Sequence, residues 1–539
     1  MKKQKKELAV LDFETDPFLY GRIPAPFVAG LRIGNDYRAF WGADCVDAVI
    51  RYLDDIKTPL VIYAHNGGKF DYFFMLKYLE NPIKVIGTRI AKAKMGIHEL
   101  RDSYSIIPVP LSAYKKDDID YRLMEKDKRD AHREEILRYL KSDCDYLYDL
   151  VSEFRGRFGD KLTIGATAIN ELKKLHPFDA QNASHDEFFR PWFFGGRVEY
   201  FEHGVLKGKW KVYDVNSMYP DVMKEYSHPT GAKYRQQYGG EITRAGNIKG
   251  MTEYPIYFAT IECDNHGAFP TRIKGESLRF DIPHGEFNVT SHELKAALET
   301  GRVSNVKVKR VLFPENVISF GDFVDKFIGE KIAAKKSGDK VAELFAKLIA
   351  NSAYGKFAQN PDHFYTYFIQ APGEEIPDGD YEIYMVHDSG ARLWRKPSES
   401  MVYFDVATAA SITGASRAVL MRGLTAGKRV VYCDTDSIIC ESLPLTLSET
   451  ALGAWKLEGE GDSLAIAGKK LYALRNGSKC VKSAHKGALL SDNEIFRIAR
   501  GGVVGWKNDA PTFSLSKGVS FIDRKIQSAE TKKAAKKRA

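Results

Sequence analysis

Three strand-like runs in this chain end in carboxylates, and no other feature restricts its fold as strongly. Leu8-Ala9-Val10-Leu11-Asp12-Phe13-Glu14 is an apolar run closed by two acids, and Lys211-Val212-Tyr213-Asp214 is a second. Arg429 to Cys440 reads as two short β-branched strands around Asp434-Thr435-Asp436, a hairpin with acids at its tip. Asp12 and Glu14 are two apart, so the period of a strand puts both on one face, where they can hold a hard divalent cation. A solvated strand end is the plainer alternative, since Asp-x-Glu arises by chance about once or twice in a chain of this length. Leu60 to Ala64 reads as another strand, and between Asp130 and Phe154 apolar residues recur at 136, 137, 140, 147, 150, 151 and 154, a helical period. Strand and helix alternate here, an α/β pattern.

At 539 residues and 44% hydrophobic content the chain exceeds one ordinary core, and two to four domains are expected. Its formal charge of +9 sits at the ends: residues 1–7 carry four Lys and one Glu, residues 524–539 seven Lys or Arg and one Glu, which leaves 8–523 neutral. Basic ends bind phosphates by counterion release, or are simply solvated. The six cysteines form no C-x-x-C pair, which argues against zinc and against a secreted disulfide framework and fits a reducing cytoplasm. No signal or membrane segment is expected, because no stretch approaches ~20 uninterrupted apolar residues.

Further polar patterns lie between these runs. In His65-Asn66-Gly67-Gly68-Lys69-Phe70-Asp71 the glycines permit a tight turn, and Asp71 falls in the first turn of a helix, where a carboxylate can also be a mere cap. Tyr139 and Asp143 are four apart on the long helix and share a face, as a surface pair also would. Tyr213-Asp214-Val215-Asn216-Ser217-Met218-Tyr219-Pro220 carries a strand-end acid into backbone amides at a helix start, which suit a triphosphate. Lys347, Asn351 and Tyr354 form one helical stripe that ends at Gly355, or else an exposed face with a C-terminal stop. Residues 320–358 read as helical with a break at Ser337-Gly338, and residues 238–318 and 361–402 read as β-rich.

In order, these segments resemble the DEDD exonuclease site and then polymerase motifs A, B and C of the family B DNA polymerases. The resemblance implies a multi-domain α/β and α+β chain: an RNase H-like exonuclease domain, then a right-hand polymerase of palm, fingers and thumb with two β-rich insertions. It implies that Asp12, Glu14, Asp71 and Asp143 hold two metal ions for 3′–5′ degradation, with Tyr139 orienting the water. Asn66 and Phe70 would touch the single-stranded 3′ end. Lys116 matches an assisting lysine of protein-primed members, a charged loop being the alternative. For synthesis, Asp214 and Asp436 would be metal ligands with Asp434 in support and Val215 part of the metal and nucleotide sites. Lys347 and Lys335 would hold the triphosphate, Asn351 and Tyr354 would line the nascent pair, and Tyr219 would exclude a ribose 2′-hydroxyl. Lys470 and Tyr472, in a Lys-x-Tyr, would grip the primer. Phe193, Gly195 and Gly196 match a Tyr-x-Gly-Gly/Ala element with Phe in place of Tyr, which removes a hydroxyl that could bond template DNA.

The phrases Asp12-Phe13-Glu14-Thr15-Asp16-Pro17-Phe18 and Ala467-Gly468-Lys469-Lys470-Leu471-Tyr472 are similar to the protein-primed polymerases of tectiviruses. By that likeness the exonuclease is 1–165, the palm 166–237 and 403–475, the first insertion (terminal-protein region 1) 238–318, the fingers 319–360, the second insertion (terminal-protein region 2) 361–402, and the thumb with its basic tail 476–539. The implied function is DNA-directed DNA synthesis with proofreading, from a protein primer and with strand displacement, in the cytoplasm of a host bacterium. Implied partners are template and primer DNA, deoxynucleoside triphosphates, a terminal protein and a single-stranded DNA-binding protein, with no membrane. Implied cofactors are two divalent ions per active site, magnesium or manganese. The rival is a 3′–5′ exonuclease acting in repair without polymerase activity; a non-catalytic DNA-binding protein is the third reading.

Overall fold

The computed structural model describes residues 6–113, 117–239, 251, 254–360, 363–398 and 402–531. Its first strands are β1 (Glu7–Thr15), β2 (Pro26–Ile33), β3 (Asp36–Trp41), β4 (Leu60–Ala64), β5 (Glu80–Ile86), β6 (Arg89–Met95) and β7 (His98–Asp102). They are followed by β8 (Val198–Tyr200), β9 (Gly204–Val215), β10 (His228–Tyr238), β11 (Phe258–Asn265), β12 (His284–Thr290) and β13 (Val303–Ile318). Then come β14 (Phe364–Gln370), β15 (Glu382–Val386), β16 (Arg392–Pro397), β17 (Tyr432–Asp434), β18 (Ser437–Cys440), β19 (Trp455–Gly468), β20 (Leu471–Asn476) and β21 (Lys479–His485). The last are β22 (Val504–Lys507), β23 (Thr512–Ser514), β24 (Gly518–Ser520) and β25 (Asp523–Ile526).

β1 lies inside a ten-stranded sheet of order β15-β16-β14-β5-β6-β7-β4-β1-β2-β3, antiparallel to β2 and parallel to β4. Ala9, Val10 and Leu11 are fully buried, and Leu-Val-Ile-Tyr-Ala of β4 is buried throughout, as a parallel strand covered on both faces must be. The helix Arg133–Phe158 covers one face through Ile136, Leu140, Leu147, Val151 and Phe154. The other face packs on the helix Cys45–Asp55. The second β-rich stretch is not a separate body: β14 pairs with β5, and Asn81 brackets Ile369, its amide donating to the carbonyl at 2.8 Å and its oxygen accepting from the N–H at 2.9 Å.

A seven-stranded sheet, β21-β20-β19-β9-β18-β17-β8, carries the other two acidic runs. Behind it runs the helix Val406–Ala426, whose small residues Ala409, Gly414, Ala415 and Ala418 let it be buried on nearly every side. The helices Gly321–Ser337 and Lys340–Phe357 form a hairpin turned by Gly338 at φ 78°, with Asp339 capping the second at Ala342 N–H (3.0 Å). The second helix runs through Gly355 to Phe357, within one residue of the end of the stretch read as helical, and the buried Phe357 packs its last turn; the alternative of a stop at Gly355 does not hold.

Residues 258–318 form β11, β12 and β13 around an unexpected helix, Ser291–Glu299, opened by a capping box between Thr290 and Glu293. β10, which lies before the expected insertion start at 238, is the edge strand of this four-stranded sheet, β10-β13-β11-β12. The helix Ile164–Leu175 likewise runs across the expected junction at 165. Among the described residues no helix is long and apolar enough to cross a membrane.

Candidate active sites

The first acidic set assembles where β1 meets the long helix. Asp12 and Glu14 leave β1 on one face, Asp143 leaves the helix Arg133–Phe158 opposite them, and their ligand atoms all lie within 4.8 Å of one another. Asp71, the first residue of the short helix Asp71–Phe74, lines the same cavity of about 460 Å³ but stands outside that three-residue cluster. It is buried, and its Oδ1 has no hydrogen-bond partner among the described residues. Burial pushes its carboxyl up to about 7 against the opposing pull of the Asp71 and Phe13 backbone N–H groups. An all-oxygen donor set with a buried orphan carboxylate oxygen fits a hard divalent cation.

Around these acids the expected DNA-contacting residues are present. Tyr139 faces the cavity, its hydroxyl 2.9 Å from that of Tyr121, and burial, that bond and the charges of Asp143 and Glu14 hold the phenol protonated. Asn66 takes the left-handed conformation (φ 64°) that the turn requires, and its Oδ1 accepts from Arg89 at 2.8 Å. Phe70 meets Phe18, Phe74 and Phe513 edge-on, with centroids 5.0 to 5.5 Å apart. Phe513, on β23 nearly 450 residues from Phe70 in sequence, walls the cavity with Thr512, a contribution that nothing in the local pattern announces. Lys116 lies outside the described residues.

The second set assembles from β9 and the β17–β18 hairpin. Asp214 pairs in register with Ser437, and the Val215 N–H donates to the Asp436 carbonyl at 2.8 Å, which sets Asp214 beside the turn that carries Asp436. Burial, then Asp436 and Glu458, push the Asp214 carboxyl up to about 6, and burial also raises Asp436. Val215 itself is buried in the core, so only its backbone faces the site. Unlike the first set, these acids form no three-ligand cluster among the described residues; ammonium groups lie against them instead. Lys470 Nζ donates to both Asp434 oxygens at 2.9 and 3.0 Å, and Lys456 Nζ stands 3.6 Å from Asp214 and 3.1 Å from Glu458. Lys482 bonds Glu458 in turn.

Over this floor stands the helical hairpin. Tyr219, from the helix Met218–Glu225, stacks flat on Tyr354 with centroids 3.9 Å apart and rings 5° from parallel. Lys347 and Asn351 are exposed one turn apart, the Asn351 amide donating to the Lys347 carbonyl at 2.8 Å. Lys335 is exposed in the last turn of its helix. Lys331, one turn earlier, is less exposed, and burial followed by Lys347, Lys335 and Lys456 lowers its pKa, which marks a cationic group gathered from both helices and β19. Sequence reasoning missed Lys331, Lys456, Glu458 and Lys482. The visible signals were the four-residue spacing of Lys331 and Lys335 and the period-two charges of Lys456-Leu457-Glu458.

Tyr472 is buried beneath the hairpin, its ring 5.0 Å from Tyr432, while the Lys470 N–H donates to the Tyr432 hydroxyl at 2.9 Å. Phe193 is half-buried, and its carbonyl accepts from Arg272 at 2.6 Å. Gly195 has open space where a Cβ would stand; at Gly196 a Cβ would lie 2.8 Å from the Thr435 methyl.

A family model described as DNA polymerase type B, organellar and viral, matches residues 101–439. The chain is 44% identical to a DNA-directed DNA polymerase of Enterobacteria phage PRD1, a tectivirus, over 98% of its own length and 99% of the relative's. It is 25% identical to a DNA polymerase of Bacillus phage phi29 over 81% of its length and 80% of the relative's. Its fold is similar to that of phi29 DNA polymerase solved with primer-template DNA, with a TM-score of 0.72 at 18% identity, covering 97% of this chain and all of the other.

Proposed function

Since the chain belongs to the type B DNA polymerases of organelles and viruses and is a DNA-directed DNA polymerase, we propose that it also proofreads by 3′–5′ exonuclease activity and starts chains on a protein primer. The observation that carries the proofreading reading is the gathering of Asp12, Glu14 and Asp143 within 4.8 Å in a cavity shared with Asp71 and Tyr139, on a sheet separate from that of Asp214 and Asp436. In this reading Asp12, Glu14, Asp71 and Asp143 would hold one pair of magnesium or manganese ions, and Asp214, Asp436 and the Val215 backbone, with Asp434 in support, would hold the other. Such ions polarise the reacting phosphate and stabilise the charge that builds on attacking and leaving oxygens.

The protein's own groups do the rest. The Tyr139 hydroxyl, fixed by Tyr121, orients the attacking water, and Phe70, braced by the buried Phe513, offers its ring to the last unpaired bases of a frayed strand. In the synthetic centre the Tyr219–Tyr354 stack parts to admit the nucleotide. Lys331, Lys335 and Lys347 then draw its triphosphate in, Lys470 turns from Asp434 toward the primer phosphates, and Tyr219 closes on the sugar edge. Template, primer and deoxynucleotides are the substrates, as in the phi29 polymerase complex solved with primer-template DNA and incoming nucleotides.

Protein priming rests on likeness to the PRD1 relative and on surface beyond the catalytic sheet, residues 238–318 and 361–402. A side-chain hydroxyl replaces a primer 3′-hydroxyl only if a docked partner presents it beside Asp214 and Asp436. The second insertion would favour strand displacement, aided by a single-stranded DNA-binding protein in the host bacterial cytoplasm. The test combines the enzyme, the terminal protein from the same genome, a divalent metal and one labelled deoxynucleotide, with no oligonucleotide. A labelled protein adduct is expected; ordinary primer extension without an adduct rejects priming. A primer with a mismatched 3′ end should be shortened without deoxynucleotides, and its persistence rejects proofreading.

A further inference from the structure

Gly196 is packed against the catalytic hairpin rather than open to solvent. A Cβ there would lie 2.8 Å from Thr435 Cγ2 and 2.9 Å from Thr435 Oγ1, closer than side chains approach. Thr435 sits between Asp434 and Asp436 at φ 60°, a left-handed conformation that a β-branched residue seldom adopts. Three contacts hold it there: the surface of Gly196, the Arg197 carbonyl accepting the Thr435 N–H at 2.7 Å, and its own hydroxyl donating to Asp434 Oδ1 at 3.2 Å. A strained residue between two carboxylates, held by a neighbouring segment, makes the direction of those carboxylates depend on that segment.

That segment is itself held from behind. Arg417, 3% exposed, donates through Nη1 to the carbonyls of Phe194 (2.5 Å) and Gly195 (2.9 Å) and through Nε to Glu293 at 2.8 Å. Glu293, 1% exposed, closes the capping box of the helix Ser291–Glu299. Arg197 donates to the Gly267 carbonyl at 2.7 Å, a second tie to the same four-stranded region. A buried ion pair with both partners engaged elsewhere fixes relative position more than it adds stability.

We propose that residues 194–197 are a positioning strap: Gly196 and Arg197 hold Thr435 and thereby aim Asp434 and Asp436, while the Arg417–Glu293 pair anchors the strap to the helix Ser291–Glu299. The inference rests on the assignment of Asp434 and Asp436 to the synthetic centre. The experiment compares Gly196→Ala, Gly196→Ala with Thr435→Gly, and Arg417→Lys with the wild type. It measures single-nucleotide addition at saturating primer-template, the magnesium concentration for half-maximal addition, KM for the deoxynucleotide, Kd for primer-template, and melting temperature.

Gly196→Ala should lower kcat about 10²-fold, as expected for a displacement of reacting groups by about 1 Å, and raise the magnesium midpoint with KM and Kd little changed. Thr435→Gly in that background removes the clash and suits the left-handed turn, and should recover at least about tenfold. Arg417→Lys keeps one bond to Glu293 but loses the carbonyl grip, and should show the same signature at about tenfold. If Gly196→Ala does not fold, Arg417→Lys alone decides. Normal kcat in these variants, no recovery in the double variant, or a loss lying wholly in Kd for DNA overturns the strap. The last pattern would mean that the segment acts on DNA directly. Asp436→Ala distinguishes the other failure: if it still extends primers, the carboxylate assignment is at fault and not the strap.

Discussion

The two carboxylate centres are built on opposite plans. At the end of β1, three acids converge within 4.8 Å, fixed by a central strand and a long helix that both belong to the core. Where β9 meets the β17–β18 hairpin, two of the acids are paired with ammonium groups instead, Lys456 at 3.6 Å from Asp214 and Lys470 at 2.9 Å from Asp434, and the Tyr219–Tyr354 stack stands nearby. In the proposed function, a centre that shortens any frayed strand would need no selection and could stand assembled. A centre that must choose among nucleotides would gain from being occupied by its own side chains, which an incoming nucleotide would have to displace.

Perturbing each plan in turn should separate them. Asp143→Ala breaks the preassembled cluster and should lower single-strand degradation by at least about 10²–10³-fold while primer extension stays near wild type, since it removes transition-state charge stabilisation at one centre alone. Parallel slowing of both activities in a folded variant would show that the centres are not separate. Tyr219→Val removes half of the stack and should relax the preference for deoxynucleotides over ribonucleotides by roughly 10²-fold, with a smaller loss in correct addition. An unchanged preference, measured by single-nucleotide competition, would take Tyr219 out of sugar selection.

Lys456→Met sharpens the contrast in metal response. Without an ammonium beside Asp214 the metal no longer competes for that carboxylate, so the magnesium midpoint for addition should fall several-fold. The midpoint for degradation should not move, and a shift in both would mean that Lys456 acts through the whole fold.

The last effect concerns stability, not activity. Burial pushes His228 down to about 4, and its ring is held by Ser411 and the Val222 carbonyl. Because the folded value lies below the unfolded one near 6.5, the ring contributes fully above that pH, and the contribution is lost as pH falls from about 6.5 to about 4. The stability gap between wild type and His228→Asn should therefore narrow by about 1.4 kcal/mol per pH unit across that window. In the other half Glu99 behaves differently: burial alone would raise it, but Lys6, Arg101 and Lys92 outweigh burial and hold it at about 2, so its contribution persists down to about pH 4.5. Urea titrations of wild type and His228→Asn at pH 7, 6 and 5 check the His228 window, and a gap between those two proteins that does not change with pH contradicts it.

Local pattern made part of this legible. β4 occupies the five residues that its apolar run marks, β1 exceeds the expected strand by one residue at each end, and the acidic hairpin and helix break lie where turn chemistry puts them. The helix Ser291–Glu299 was readable in Thr290-Ser291-His292-Glu293 but lay inside a stretch dominated by aromatics and turns. What pattern does not carry is pairing between distant edges. Nothing in Phe364–Gln370 says that it extends the sheet of β5, and nothing near Phe70 announces Phe513. Lys456 and Glu458 escaped because charges alternating on a strand look the same whether they face water or a catalytic acid. Nothing near Gly196 announces the Thr435 side chain packed against it, because that side chain lies 239 residues away.

The most direct measurement takes two variants and two assays on the same preparations: Asp436→Ala, and Asp12→Ala combined with Asp71→Ala, each tested for single-nucleotide addition and for 3′–5′ degradation of a labelled single strand. Two independent centres require that Asp436→Ala loses addition and keeps degradation, and that the double variant does the reverse, with melting temperatures close to wild type. If either folded variant loses both activities, or if Asp436→Ala still extends a primer at the wild-type rate, the two-centre account is wrong.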